Sequence, residues 1–481
     1  MRSLTGRLSA FDPFVVGFPL LVICGAVMVG LLAGLDPKLA VAAALAVVLL
    51  LVTMHSLLAG LSGFIVLSFM ELVPGLTGPA LSLSKVAGAI LVVSWLAYTS
   101  SGADRRPEFP FAFPAIATVL LVFVTWNVLS VVWAEESAPA IVSTLSFALN
   151  FMLFPVAYSA VRKPADVRPL LVAFVAGAGI AAIYGVIAQP DATALVSSPT
   201  AAAQLNRLAG SIGDPNELAT LLAAGVGVAT ALVFDSSRNA TFRIGSGVMA
   251  LVLLSGILIT LSRGGLLALA AALLAAVLVS PGKFRAMTLG AVATILAVSL
   301  VFFFGVASEA ARDRITESDG GSGRTDIWQV GWRMVEDHPV RGVGSGNFKV
   351  ASIHYLLAPG SLKFDQYIVD QPSVAHNAYL QVLAETGVIG LALFLIAAVA
   401  CIACAARAMR LLRRKGDQPG ALLAAGIIAG SVALLAGFFF LSEEHSKHLW
   451  LLLALGPAIL GASRRSGEPG ETGEPGEPAP A

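Results

Sequence analysis

The stretch His376-Asn377-Ala378-Tyr379-Leu380-Gln381-Val382-Leu383-Ala384-Glu385-Thr386-Gly387-Val388-Ile389-Gly390 closes a long polar segment and continues as apolar sequence to about Ala406. Lipid offers no partners to backbone N–H and C=O groups, so a run long enough to cross the ~30 Å hydrocarbon layer must do so as a helix. About fourteen such segments recur along the chain. They lie near residues 14–34, 39–54, 57–73, 84–100, 113–132, 138–160, 168–188, 216–234, 244–261, 264–280, 286–306, 378–406, 420–441 and 447–462. The second and third are short and close together, so the expected fold is an all-α polytopic membrane protein with about 12–14 transmembrane helices. Composition agrees. Of 481 residues 57% are hydrophobic and only 12% charged, where soluble domains carry about a quarter, and the mean hydropathy is +0.85. The net charge of +1 comes with no basic stripe, so nucleic acid is not an expected partner.

The first run follows Arg2 and Arg7. Its length, the lack of a small-residue cleavage site and the spans behind it make it a retained helix rather than a removed leader. Cys24, Cys401 and Cys404 all lie in apolar runs, read as small core residues with no disulfide framework.

Lys and Arg set the orientation. With the N-terminus in the cytoplasm, inside segments hold 18 of the 30 basic residues, and seven of the rest fall in one long loop, 308–375. The expectation is an inner (cytoplasmic) membrane protein with both termini cytoplasmic and that loop periplasmic. Its organisation is 1–307, eleven transmembrane helices; 308–375, the periplasmic loop; 376–463, the C-terminal transmembrane helices; and 464–481, a disordered cytoplasmic tail of Gly-Glu-Pro triplets too few for collagen. Within the loop, Arg324 to Asp337 reads as an amphipathic helix. Ile327, Val330 and Met334 share a face, with Trp328, Trp332 and Val335 beside it. Gly342, Gly344 and Gly346 follow as a turn, with no preceding strand to make them a nucleotide fingerprint. No inverted repeat of the transporter kind is evident.

Chemistry is expected where charge meets the outer membrane boundary. Arg263, in Leu261-Ser262-Arg263-Gly264-Gly265, joins two spans with almost no loop. It either snorkels to headgroups or clamps an anion, with two glycines letting a lipid phosphate approach. Arg324 opens the loop helix, where a cation opposes the helix dipole unless an anion sits beside it. Arg207 and Asn216 lie in Asn206-Arg207-Leu208-Ala209-Gly210-Ser211-Ile212-Gly213-Asp214-Pro215-Asn216-Glu217. There Asp214, Pro215 and Glu217 read as an N-cap, a first-turn proline and a capping box. His376 is read either as a hydrogen-bonded structural residue or as a base. With an ordinary pKa near 6.5, its neutral imidazole suits proton abstraction from a hydroxyl. Glu385 lies about 13 Å along the helix on the opposite face, too far to orient it. Glu443-Glu444-His445-Ser446-Lys447-His448 is expected to be a solvated turn, and Asn239-Ala-Thr a chance sequon in a cytoplasmic loop.

Four motifs in order then resemble a known family. They are Ser262-Arg263-Gly264-Gly265; Gly323-Arg324-Thr325-Asp326-Ile327-Trp328; Asp337-His338-Pro339-Val340-Arg341-Gly342-Val343-Gly344-Ser345-Gly346-Asn347-Phe348; and His376-Asn377-Ala378-Tyr379 with Glu385-Thr386-Gly387-Val388-Ile389-Gly390. Together they resemble the bacterial O-antigen ligase and Wzy-type O-antigen polymerase superfamily over about residues 200–400. The resemblance implies a GT-C-type membrane glycosyltransferase, with an undecaprenyl-diphosphate-linked glycan as donor. The acceptor it implies is lipid A–core in ligases, or the glycan of another lipid-linked unit in polymerases. It also implies that Arg263 and Arg324 hold the diphosphate and that His376 is the base, with Arg207 and Asn216 in a motif-like segment as candidate substrate contacts; the Trp328 and Trp332 face of the loop is expected to cover the site or grip sugar. More spans than the family's usual dozen are counted at the N-terminus. The expected reaction is inverting and uses no metal or other cofactor, although Asp326, Asp337, Asp365 and Asp370 are carboxylates in the loop. The alternative is a transporter or flippase of lipid-linked glycan, which would bind diphosphate with the same arginines but need no base.

Overall fold

A computed structural model describes residues 13–71, 83–100, 108–188, 207–280, 282–301, 324–356, 362 and 373–465. The tail, the segment 302–323, Asn206, Asp365 and Asp370 lie outside the described residues. The fold is all-α, with no strand among the described residues. Each apolar segment read from the sequence contains helix: α1 (Pro13–Leu35), α2 (Pro37–His55), α3 (Leu57–Ser68), α4 (Leu83–Ser100), α5 (Pro114–Ser130), α6 (Ser137–Phe151) and α7 (Leu153–Ala160), which share segment 138–160, α8 (Val167–Ile187), α9 (Pro215–Val233), α10 (Ala240–Thr260), α11 (Arg263–Val279), α12 (Gly282–Val301), then, past the loop helix α13 (Arg324–Asp337), α14 (Ala378–Arg414), α15 (Gln418–Gly437) and α16 (Lys447–Arg465). Among the described residues, six stretches have the length and apolarity to cross a membrane: Ser137–Ala160, Pro164–Ile187, Pro215–Val233, Ala240–Thr260, Ala378–Arg414 and Gln418–Phe440. The chain is a multi-pass membrane protein.

Local chemistry sets the helix starts. A single capping residue, Ser56, divides α2 from α3 and accepts the amide of Ala59 at 3.3 Å. Asp417 caps α15 through the amide of Gly420 (2.9 Å), with Pro419 in the first turn. At the centre, α9 and α15 are buried almost throughout. They meet through small residues: Gly227 lies against Ala429, and Gly426 against Ala231. Lipid tails are as apolar as leucine, so helices in a bilayer gain from such close backbone approach rather than from water exclusion. Conversely α10 turns Ile244, Val248, Leu251 and Ile259 outward, as a lipid-facing helix should. Chain direction alternates from α8 through α11 and from α14 through α16, so the starts of α9, α11, α14 and α16 lie at one rim. At the other rim, Arg168 pairs with buried Asp235 (2.6 Å), Arg413 donates to the carbonyl of Val279, and Lys415 donates to that of Ser463 (2.6 Å).

Candidate functional site

The rim that starts α9, α11 and α14 also receives α13, the loop helix. Its apolar face holds as read. Ile327, Val330 and Met334 are buried and pack with Phe348 and Ala384. Trp332, read as lying beside that face, is 54% exposed. Gly331 fits so closely that an added Cβ would lie 3.1 Å from both Leu380 and Phe348. Trp328 is half-buried. Its indole N–H donates to the carbonyl of Ala375 (2.9 Å), and its ring meets Phe439 edge-on at 5.9 Å. Arg324, one turn earlier on α13, is therefore fixed relative to the residue just before His376.

Three charged groups read separately from the sequence act on one another here. The Arg324 guanidinium is held below its ordinary pKa, chiefly by burial and further by Arg263, against the opposing pull of Asp214. His376 is held below 6.5, chiefly by burial and further by Arg324 and Lys349, again against Asp214. The imidazole is therefore neutral at physiological pH. Arg324 and His376 thus share one carboxylate, Asp214, with Arg263 beside Arg324, and the starts of α9, α11, α13 and α14 bring further positive potential to the same place.

Backbone strain marks the same spot. Among the described residues, the non-glycine residues with positive φ are Leu261 (φ 51) and His376 (φ 49). Each such residue costs on the order of 1–3 kcal/mol and persists only where its neighbours over-determine it. Leu261 ends α10 so that Ser262 can cap α11, accepting the amide of Gly265 at 3.2 Å. This elbow turns Arg263 outward, where it is exposed. His376 precedes Asn377, which caps α14 by accepting the amides of Tyr379 and Leu380, each at 3.0 Å. The imidazole Nε2 lies 3.3 Å from the Ser373 hydroxyl.

Arg207 and Asn216 brace the elbow. Arg207 donates to the carbonyl of Thr260 (2.9 Å) and to Asn216 Oδ1 (2.8 Å), which also accepts the Ser262 hydroxyl (2.9 Å). Asp214 caps α9 as read, through the amides of Asn216 (2.7 Å) and Glu217 (2.9 Å). Glu217 lies within electrostatic reach of Glu443 and Asp214. Of the two glycines after Arg263, Gly265 serves helix packing: a Cβ there would overlap Ala219 of α9. It does not open a path for phosphate, as the sequence suggested.

The largest departure is the hairpin Glu443–His448. It is not a solvated turn. Glu444 is 2% exposed, His448 3% and Ser446 7%. Glu444 Oε1 accepts the amide of Gln381 (2.9 Å), His448 Nε2 meets the hydroxyl of Ser68 (3.0 Å), and Lys447 pairs with Glu71. Burial, with Glu444 and Asp214 nearby, pushes Glu443 up to about 8. The sequence did hold a signal: six consecutive polar residues between two apolar helices, with no Gly or Pro to make an open turn.

Glu385 belongs to a second cluster. Its carboxylate accepts the amides of Gly346 (2.6 Å) and Phe348 (3.2 Å). The glycine turn docks here because α14 breaks at Gly387 (φ 67, ψ −172). The amide of Val388 donates to the carbonyl of Pro339 (2.9 Å), and the Trp126 indole takes the Thr386 carbonyl that the break leaves free (2.8 Å). Gly342, Gly344 and Gly346 are all left-handed and pressed against other backbone, where a side chain would not fit.

Beside the arginine rim lies an open apolar groove of about 520 Å³, lined by Tyr379, Val432, Leu435, Ala436, Phe439 and Phe440. Phe440 borders Gly264, next to Arg263. A small anionic headgroup at the arginines would thus have an apolar channel alongside it.

Residues 248–395 match the family model described as O-antigen ligase. The match holds Arg263, Arg324, His376 and Glu385, and omits Arg207, Asn216 and the 443–448 hairpin. No curated protein matches the chain.

Proposed function

We propose that this chain, which matches the O-antigen ligase family over residues 248–395, transfers a glycan from undecaprenyl diphosphate to an acceptor hydroxyl at the periplasmic face of the inner membrane. The activity is of the O-antigen ligase or polymerase type. The convergence of Arg263, Arg324 and His376 on one strained rim carries the reading.

The donor's diphosphate rests between the two guanidiniums, whose planar donors match phosphate oxygens. Its prenyl tail follows the apolar groove past Phe440 and Phe439. The acceptor oxygen attacks the anomeric carbon from the face opposite the diphosphate. The carbon–oxygen bond to phosphate breaks, the configuration inverts, and the proton of the acceptor passes to His376. Negative charge grows on the departing diphosphate, so preplaced guanidiniums stabilise the transition state more than the ground state. The depressed pKa of His376 keeps a lone pair free for the proton. Arg207 and Asn216 act through Ser262, holding the elbow that presents Arg263. Trp328 sets the spacing between Arg324 and His376 while its ring borders the groove.

The test is transfer by purified protein from a lipid-linked donor, with lipid A–core and with a second lipid-linked glycan as separate acceptors. Product on either supports transfer and separates ligase from polymerase. The anomeric configuration of the product, read by NMR, decides inversion. Activity in EDTA supports a reaction without metal; complete loss restored by Mg²⁺ overturns that part. No transfer from any donor, with lipid-linked glycan crossing the bilayer of a vesicle instead, would mean a flippase.

A further inference from the structure

His376 sits in a conformation that its own side chain does not favour, so something else must hold it there. The residue before it is gripped from two directions. The amide of Ala375 donates to Gln381 Oε1 (3.2 Å), and its carbonyl accepts the Trp328 indole (2.9 Å). Ala375 is fully buried. Gln381 is not free to rotate, because its amide nitrogen donates to Glu444 Oε1 at 2.9 Å. That bond fixes which end of the Gln381 amide faces Ala375. Glu444 is itself anchored: its backbone carbonyl accepts the Trp450 indole (2.9 Å), and its Oε1 lies 3.3 Å from His445 Nδ1. An acid buried between α14 and the α15–α16 connection is costly to desolvate. Here it bears on the turn that carries the imidazole.

We propose that Gln381, with its amide oriented by Glu444, is a positioning residue for His376. Neither touches the reacting atoms. They set the height and angle of the ring against Arg324, whose position Trp328 ties to the same Ala375. This rests on the reading of His376 as the group that serves the acceptor hydroxyl.

The test uses the full chain in lipid nanodiscs and three variants: Gln381→Ala, Gln381→Glu, and the exchange Gln381→Glu with Glu444→Gln. Gln381→Ala removes both hydrogen bonds and the contact of Gln381 with Glu385. Gln381→Glu keeps an acceptor for Ala375 but sets a new carboxylate against Glu444 and Glu385. The exchange restores both bonds with the roles reversed, because the carboxamide at 444 donates to the carboxylate at 381. Two quantities are read: kcat and donor KM for transfer, and the titration of the His376 ring by NMR. The chain has six histidines, and His376→Ala identifies the signal by its loss. Gln381→Ala should lower kcat roughly tenfold to a hundredfold with donor KM unchanged, as small misplacements of a reacting group do. It should also move the ring titration, and the exchange should return both. An unmoved titration and a parental kcat in folded Gln381→Ala overturn the proposal. So does a folded exchange variant whose ring stays displaced, which is the deciding measurement if Gln381→Ala does not fold. Should His376→Ala transfer as well as the parent, the base assignment falls. The ring titration across the same variants still decides whether Gln381 and Glu444 position it.

Discussion

Two polar clusters share the first turns of α14, and they are built on opposite principles. Around Glu385, nearly every group has a partner. The carboxylate takes two amides of the glycine turn; Ser345 donates to Asn127 (2.7 Å) and meets Ser143 (2.6 Å); Asn347 bonds across to Glu136. The strained positions there are glycines, which bear a positive φ at little cost. Around Arg324, a buried guanidinium feels a second guanidinium as well as a carboxylate, Arg263 is exposed, and the strain falls on a leucine and a histidine. A cluster that has closed on itself specifies structure. One that gathers two guanidiniums at an exposed edge and is held under strain is prepared for something that arrives from outside. Charge and polarity alone do not tell the two apart; exposure and the residues that bear the strain do.

The sharpest way to break this contrast is to remove one group from each cluster and compare. His376→Ala should lower the transfer rate by roughly 10²–10⁴ and leave the thermal midpoint close to that of the parent. Alanine keeps the Cβ and so the same left-handed strain, and the ring gives up only its 3.3 Å contact with Ser373, so little stability is lost with it. Arg263→Ala and Arg324→Ala should each cost roughly 10²–10³ in rate. Arg324→Lys should recover little, since an ammonium lacks the planar fork. If either arginine variant kept its rate and instead lost its fold, the open cluster would be structural after all.

The closed cluster should respond the other way round. Glu385→Ala leaves one buried and one half-buried amide without their partner, roughly 1–3 kcal/mol for the buried one and less for the other. Gly387→Ala forces a Cβ against the carbonyl of Val340 at a left-handed position, again on the order of 1–3 kcal/mol. Both should lower the thermal midpoint in detergent, with activity falling only as far as folded protein falls. A large loss of kcat in fully folded Glu385→Gln would contradict the division drawn here.

How much of this was legible in sequence follows the same line. Helices announce themselves locally. The apolar segments, the helix from Arg324 to Asp337 and the Asp214–Pro215 start of α9 were all readable, because spacing, caps and prolines lie within a few residues of each other. The arginines and the histidine were readable as candidates, because a charge at a membrane boundary is costly wherever it sits. Partners remote in sequence were not. Glu385 answers to an amide 39 residues earlier, and Gln381 to an acid 63 residues later. The 443–448 hairpin was misread for that reason. Its charges looked solvated, since the groups that bury them, Ser68, Glu71 and Gln381, lie far away in sequence. Gly265 was misread because its neighbour Ala219 belongs to another span.

The smallest expected effect tests the electrostatics of the open cluster without removing its base. Burial and the nearby guanidinium of Arg324 both favour neutral imidazole, so the folded pKa of His376 lies below 6.5. A reaction that needs the neutral ring should therefore keep its rate as pH falls through 6.5, and lose it only below that value. The slower variant Arg324→Gln removes one of the two causes and leaves burial in place. Asp214 then acts on the ring with less opposition, and the pKa should rise. The acid limb of kcat should move up with it, and so should the ring titration read by NMR. If the limb stayed fixed while the rate fell, the acid limb would belong to another group.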